Sequence, residues 1–490
     1  MVDSRLAGEN GVGPVFFRKI LEDLFDSHCE FGVKRLRFKW SRVFRVRDKQ
    51  KLSMKKIVVS VGLVALGASS IHALDAGTAS DPSRFWSVSG TIRGFYDDNI
   101  NTIPSNQAVL PGASRSSAGF EVSPAIFLNF PLEQTSIGLS YVYDFKYYDN
   151  RPQNQAENYS MTHVFNGAVN HSFSERFQVS VKDSFAIGQE PDILRAGNTY
   201  NTFQRLPGDN TRNYGVISFS AQITPLFGLD VGYANTLFDY ASNEWQINPT
   251  GDISSSNAGL LNTMDQTIHL DGRYQIQPQT IGILGYQFRM LDYTADQPIG
   301  GNILVPSSIL MSDVRNVQAN YGYVGVDHNF RPDLTGSVRV GGSYNDYYNN
   351  TGQNNLAPYA LLSMRYTYNP GSYLEAGFTY DFTSGSVFSS VTKNDVTMGA
   401  YASSLYASIH HKITGKLAGS IMGQYQNNMY YGGVYNNQSQ QYLLLFLGLD
   451  YQFTPFFSAQ IGYDYDNVWG EIPNQNYDRN RVYVGVTASY

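Results

Sequence analysis

The chain has 490 residues, 42% of them hydrophobic and only 16% charged, with 45 Gly, 36 Tyr, 29 Phe and a formal net charge of −6. So low a charged fraction, against about 25% in ordinary soluble domains, together with so many aromatic rings excludes intrinsic disorder and argues against a leucine-rich helical core. No apolar run approaches the roughly 20 residues a transmembrane helix needs, and the acidic balance beyond the first segment argues against a nucleic-acid partner.

Residues 1–53 are basic between Lys34 and Lys51 and hold the only cysteine, Cys29. Met54, Lys55 and Lys56 then open a positive start, an apolar stretch follows from Ile57 to Leu66, and small residues continue to Ala73. That three-part layout reads as a secretory signal over 54–73, with cleavage near 73–76. A folded domain ahead of a removable signal would be discarded, so residues 1–53 read as an over-extended start with Met54 the initiator. The competing reading is a basic cytosolic extension attracted to anionic lipid. Residues 74–490 then form one exported domain, and their lack of cysteine excludes a disulfide framework.

Beyond Trp86 one pattern recurs: a segment alternating apolar with polar or small residues, a tight turn, a second such segment, then a long polar loop. Period two is the signature of a strand. It is clearest in Ile137, Leu139, Tyr141, Tyr143, Phe145 and Tyr147, and again in Leu443, Leu445, Leu447, Leu449, Tyr451 and Phe453. Tight turns fall at 131–134, 174–176, 224–228, 277–279, 331–333, 369–372, 414–416 and 454–455, each rich in the residues that reverse a backbone. These turns join sixteen strands. A first strand over 85–96 and a last over 482–490 raise the count to about 18 (16 to 18), with both ends on the short-turn side. Hairpins also repeat, as in His171 and Phe173 against His328 and Phe330. A propeller or solenoid repeats too, but it would not alternate short turns with long loops so strictly.

Export plus this alternation predicts an all-β fold: a transmembrane antiparallel up-and-down β-barrel in the bacterial outer membrane, with short periplasmic turns and long extracellular loops. An unpaired strand edge in hydrocarbon costs several kcal/mol per group, roughly, so the sheet must close. Apolar side chains then point outward to lipid. Phe173, Phe177, Phe227, Phe330, Phe453 and Phe456 near the turns, and Tyr96, Tyr147, Tyr240, Tyr293 and Tyr465 near the loops, suit the two interfacial girdles. Val482, Val484, Val486, Ala488 and Tyr490 alternate up to a terminal aromatic residue. Such a tail is similar to the signal by which the outer-membrane assembly machinery receives bacterial porins.

Several stretches resemble the putative beta-barrel porin 2 family: Phe95-Tyr-Asp-Asp-Asn-Ile100, Tyr147-Tyr-Asp-Asn150, His171-Ser-Phe-Ser-Glu-Arg-Phe-Gln-Val-Ser-Val-Lys-Asp-Ser-Phe185 and Gln189-Glu-Pro191. The resemblance is good over about the first five strands and generic afterwards. It implies an outer-membrane barrel with a porin-like channel and carries over no catalytic residue.

With apolar residues outward, the opposite phase lines the lumen, and it carries Arg93, Asp144, Lys146, Lys182, Arg273, Arg289, Arg339, Arg365, Glu375, Asp381, Asp464 and Asp466. Arg273, Arg289, Arg339 and Arg365 come from strands eight to twelve, and Glu375, Asp381, Asp464 and Asp466 from strands thirteen and seventeen. A basic wall facing an acidic one would set a transverse field across the channel. Asp183 breaks the pattern, sharing a face with Val179, Val181 and Phe185, and a bulge near Lys182 would turn it inward. The third long loop carries Glu190, Asp192, Arg195, Arg205, Asp209 and Arg212 and is a candidate constriction, or else a surface loop.

Eighteen strands enclose an aqueous channel. The expected function is therefore passive diffusion of small hydrophilic solutes; the alternatives are an exit channel for an exported exopolysaccharide and a structural or adhesive surface barrel. The six histidines beyond the signal, His163, His171, His269, His328, His410 and His411, form no catalytic pattern, and His171, His328 and His411 read as interfacial. No enzyme activity, cofactor or metal site is expected. Expected partners are outer-membrane lipid, the assembly machinery at the last strand, and solutes. A homotrimer is the assembly porins often adopt, yet no strand shows a flatter, less aromatic outer face.

Overall fold

The computed structural model describes residues 84–150, 157–189, 208–350, 352–384 and 396–490. The chain divides into two units, Met1–Val59 and Ser60–Tyr490, and all described residues lie in the second. The leader over 1–53 and the signal over 54–73 fall outside them.

Eighteen strands form one closed sheet: β1 (Trp86–Asp97), β2 (Ser117–Pro131), β3 (Thr135–Tyr148), β4 (Tyr159–Ser172), β5 (Phe177–Gly188), β6 (Asn210–Gln222), β7 (Phe227–Tyr240), β8 (Thr263–Gln277), β9 (Thr280–Tyr293), β10 (Val317–Arg331), β11 (Leu334–Asp346), β12 (Asn354–Asn369), β13 (Ser372–Ser384), β14 (Gly399–Lys412), β15 (Leu417–Tyr431), β16 (Ser439–Thr454), β17 (Phe457–Gly470) and β18 (Tyr477–Ser489). Each strand pairs antiparallel with its neighbours in sequence. The ring closes where β18 meets β1, with Gly90 opposite Ala488 and Gly94 opposite Val484. All eight expected turns form. In three of them a threonine hydroxyl accepts from a backbone N–H, at 3.0 Å for Thr224 and Phe227, 3.0 Å for Thr414 and Leu417, and 3.2 Å for Thr454 and Phe456.

Large apolar side chains lie exposed on the outside of the ring; Leu356 is 77% and Leu284 70% exposed. Such a surface is tenable against acyl chains and not against water. The short-turn girdle forms as expected, with Phe173, Phe177, Phe227, Phe330, Phe453 and Phe456 all exposed. The repeated hairpin sequence becomes a repeated contact: Thr135 Oγ1 lies 2.7 Å from His171 Nδ1 and Thr280 Oγ1 lies 2.8 Å from His328 Nδ1. Each histidine also meets the edge of the phenylalanine two residues on, ring centres 4.5 Å apart. The upper girdle differs from expectation. Tyr96 is exposed, whereas Tyr240 and Tyr293 are buried, because both fall on the inward phase at the tops of their strands.

Inside, Gly448 and Gly462 sit directly opposite each other. A Cβ on Gly462 would come within 2.2 Å of the Tyr483 ring, and one on Gly448 within 2.7 Å of Phe446. Glycine is what lets these two rings lie flat against the wall.

Candidate functional site in the barrel interior

Alternation puts Asp271 with Arg273, Asp464 with Asp466, and Arg479 with Arg481 on the inward face, and register then decides which charges meet. Arg93 is opposite Glu121, which is opposite Lys146; Arg93 Nη1 lies 2.7 Å from Glu121 Oε1. Arg273 reaches Asp230 on one side and Asp327 on the other, both at 3.0 Å, and Arg339 shares Asp327 at 3.7 Å. Ser337 donates to Asp327 at 2.7 Å, and the Tyr323 hydroxyl donates to Asp271 at 2.6 Å. Arg289 grips Asp265 at 2.6 Å and donates to the Phe382 carbonyl at 3.2 Å, while the Tyr321 hydroxyl donates to Asp381 at 3.2 Å. Asp464 is opposite Arg481 and Asp466 opposite Arg479; Arg481 Nη2 lies 2.5 Å from Asp464, and Arg479 Nη1 3.8 Å from Asp466.

A charge shielded from bulk water is tolerated only when paired and hydrogen bonded. That requirement overrides the division of charge expected from sequence. Arg273, Arg289 and Arg339 each have a carboxylate on a nearby strand. Arg365 lies 3.4 Å from Glu375 and over the Tyr373 ring at 4.3 Å from its centre. Glu375, Asp464 and Asp466 likewise have a cation beside them, Asp381 accepts from the Tyr321 hydroxyl, and Asp144 lies in the Arg93, Glu121 and Lys146 group. A basic wall facing an acidic one does not form; the charges are interleaved. Lys182 is exposed on the inward phase.

The bulge expected near Lys182 is absent. β5 keeps continuous register with β4 and with β6, and Asp183 stays on the outward face, where it accepts from Asn213 Nδ2 at 2.9 Å. Of the third loop, Glu190, Asp192, Arg195 and Arg205 lie outside the described residues. Asp209 is bonded to Gln189 at 3.2 Å, and Arg212 is a buried residue of β6.

The described residues hold a different extracellular cap. After β9 the chain forms a ribbon of Pro298–Asn302 against Val305–Met311 and a 3-10 turn over Ser312–Arg315. Ile299, Leu310 and Val314 pack with the inward strand-end residues Leu291, Val317 and Ala357. Arg315 is fully buried, donates to the carbonyls of Gly259 at 3.1 Å and Leu260 at 3.0 Å, and lies 3.8 Å from the centre of the Tyr293 ring. A second clasp joins the loops at Asp252, which accepts from Thr250 Oγ1 at 2.6 Å and Asn302 Nδ2 at 2.7 Å.

Sequence reasoning passed over Asp97, Glu121, Asp230, Asp265, Asp271, Asp327, Arg479 and Arg481, although each shares the inward phase of its strand. It also passed over the cap, whose signal was apolar residues in a segment that should be a polar loop. No group of His, Cys, Asp and Glu placed to hold a metal occurs among the described residues.

A closed 18-strand antiparallel barrel, apolar outside and charged inside, with short turns at one end and long loops at the other, is a barrel of the outer-membrane porin type. Residues 397–490 match the model of the family described as putative beta-barrel porin 2. The match spans β14 to β18 rather than the first five strands, where the resemblance lies in the sequence reading. No curated protein matches the chain. Among solved structures, the outer membrane protein OpdK from Pseudomonas aeruginosa is similar at 13% identity, covering 83% of this chain and 99% of its own, with a TM-score of 0.39. OccAB4 of Acinetobacter baumannii is similar at 11% identity, with 83% and 99% covered and a TM-score of 0.39. The ferric enterobactin receptor PfeA of Pseudomonas aeruginosa is similar at 12% identity, with 82% and 80% covered and a TM-score of 0.39.

Proposed function

We propose that the protein is an outer-membrane channel for passive diffusion of small hydrophilic solutes. The observation that carries this reading is the inward face itself: charged, amide and hydroxyl side chains turned to the interior of a ring whose outside is apolar, an arrangement suited to solutes that leave bulk water only partly. Arg93, Lys146, Lys182, Arg273, Arg289, Arg339, Arg365, Glu375, Asp381, Asp464 and Asp466 line the path. Because their charges are interleaved with carboxylates and guanidinium groups of neighbouring strands, the field along the path is short-ranged and ion selectivity is weak. Export through the signal at 54–73 and reception of β18 by the assembly machinery place the barrel in the outer membrane.

Purified protein in planar bilayers tests the reading directly. Discrete conductance steps, and swelling of protein-containing liposomes in small sugars, are expected. A folded barrel giving neither would overturn diffusion and leave polymer exit or adhesion.

A further inference from the structure

One register row crosses the outer wall from β4 to β8. Gly167 is opposite Asp183, Asp183 opposite Gly215, Gly215 opposite Asn235 and Asn235 opposite Gln266. These positions share the outward face with Phe165, Ile217 and Ile268, all exposed. Outward neighbours tie them together: Asn235 Nδ2 donates to Asn213 Oδ1 at 2.8 Å and Asn213 Nδ2 donates to Asp183 Oδ1 at 2.9 Å, and, separately, the Tyr233 hydroxyl donates to Gln266 Oε1 at 3.3 Å. Gly215 is part of the construction, since a Cβ there would sit 2.3 Å from Asn235 Oδ1 and 3.2 Å from Asp183 Oδ1.

Asp183 lies midway along β5. Among the described residues it is the one outward carboxylate away from the strand ends; Asp239, Asp292, Asp346 and Asp478 sit at the loop side. The opposite wall shows what acyl chains alone require. There a shallow groove of about 930 Å³ over β14–β18 and β1 is lined by Ile409, Ile421, Leu447, Ile461, Val484 and Gly94. A carboxylate and three amides at mid-wall are costly against hydrocarbon, which offers no hydrogen bond.

We propose that this stripe is the contact face for a second copy of the chain, stripe against stripe in one membrane. Hydrogen-bonding capacity points to a like partner. Asp183 Oδ2, Asn235 Oδ1 and Gln266 Nε2 make no bond within the described chain, so the stripe presents acceptors and a donor together, and an amide satisfies another amide across a twofold axis. No mid-wall outward lysine or arginine occurs among the described residues, so no other side of the barrel offers Asp183 a cation. Flanking Phe165, Ile217 and Ile268 bring apolar surface to apolar surface on either side. The contact does not depend on what the lumen carries.

Native mass spectrometry of the full chain in nanodiscs tests it, together with oxidative cross-linking of Asn235→Cys in a Cys29→Ser background. A dimeric mass is expected, as is a disulfide-linked dimer from Asn235→Cys but not from Val484→Cys on the opposite wall. Replacing Asp183, Asn213 and Asn235 together by leucine should give a monomer that still shifts on gels with heating. A monomeric mass, equal cross-linking from Val484→Cys, or cross-links only to a different protein would each overturn the proposal. The cysteine arms decide the matter even if the triple variant fails to fold.

Discussion

Arg479 on the last strand clasps Asp97 on the first, its Nε 2.9 and 3.0 Å from the two carboxylate oxygens. Both side chains are almost fully buried, and the pair straddles the seam where the ring closes. Removing one partner strands a charge, at a cost of about 3–5 kcal/mol, whereas replacing both with apolar residues is often nearly neutral. Asp97→Asn should therefore lower the temperature at which the folded band converts on gels. Because Arg479 also serves the buried Asp466, the triple variant Asp97→Leu, Asp466→Leu, Arg479→Met should recover most of the loss. A single variant that melts like the parent would mean the seam is held by backbone pairing alone.

The Arg273 and Arg339 network makes an electrical prediction. Neutralising both as Arg273→Gln, Arg339→Gln leaves Asp230 and Asp327 uncompensated. Reversal potentials should move toward cation selectivity, more so at low salt where screening is weaker. An unchanged reversal potential would place these strands away from the ion path.

The cap makes a steric one. Deleting 298–311 removes the ribbon that packs on Leu291 and Val317 and should raise single-channel conductance. Arg315→Leu, which loses two carbonyl contacts and the Tyr293 ring, should broaden the distribution of step sizes. Steps of parental size from a folded deletion variant would show that the cap lies beside the path.

At the clasp between the loops, hydrogen bonds from Thr250, then from Asn302 and Asn248, hold the Asp252 carboxyl below the usual carboxylate range. With a depressed folded value, the clasp contributes fully above the unfolded carboxylate pKa of about 4 and is lost as pH falls through the folded value. Protease cleavage of this loop should stay slow from neutral to mildly acid conditions and rise below that. Asp252→Ala should cleave fast throughout.

The terminal Tyr490 exchanges both backbone hydrogen bonds with Val88, at 2.9 and 3.0 Å, and its ring lies 5.7 Å from Trp86. If its main role is reception by the assembly machinery, Tyr490→Ala should cut the amount reaching the outer membrane while refolding in detergent changes little. Equal losses in both would assign it to packing.

Alternation and turn chemistry are local, so the sequence alone determined the eighteen strands, their eight tight turns, the apolar exterior and the inward phase of nearly every charge. Pairing is not local. Whether Arg273 meets Asp327, or Arg479 meets Asp97 across 382 residues, depends on register between strands, and period two is silent about register. For the same reason the expected separation of basic and acidic walls gave way to interleaved pairs; Tyr240 and Tyr293, by contrast, are inward by phase alone, the phase of Asp230 and Arg289 on the same strands. Asp183 is the instructive residue: its outward phase was legible in the chain, but that Gly215 flanks it and Asn213 bonds it was decided only when β6 came back beside β5 from across a long loop.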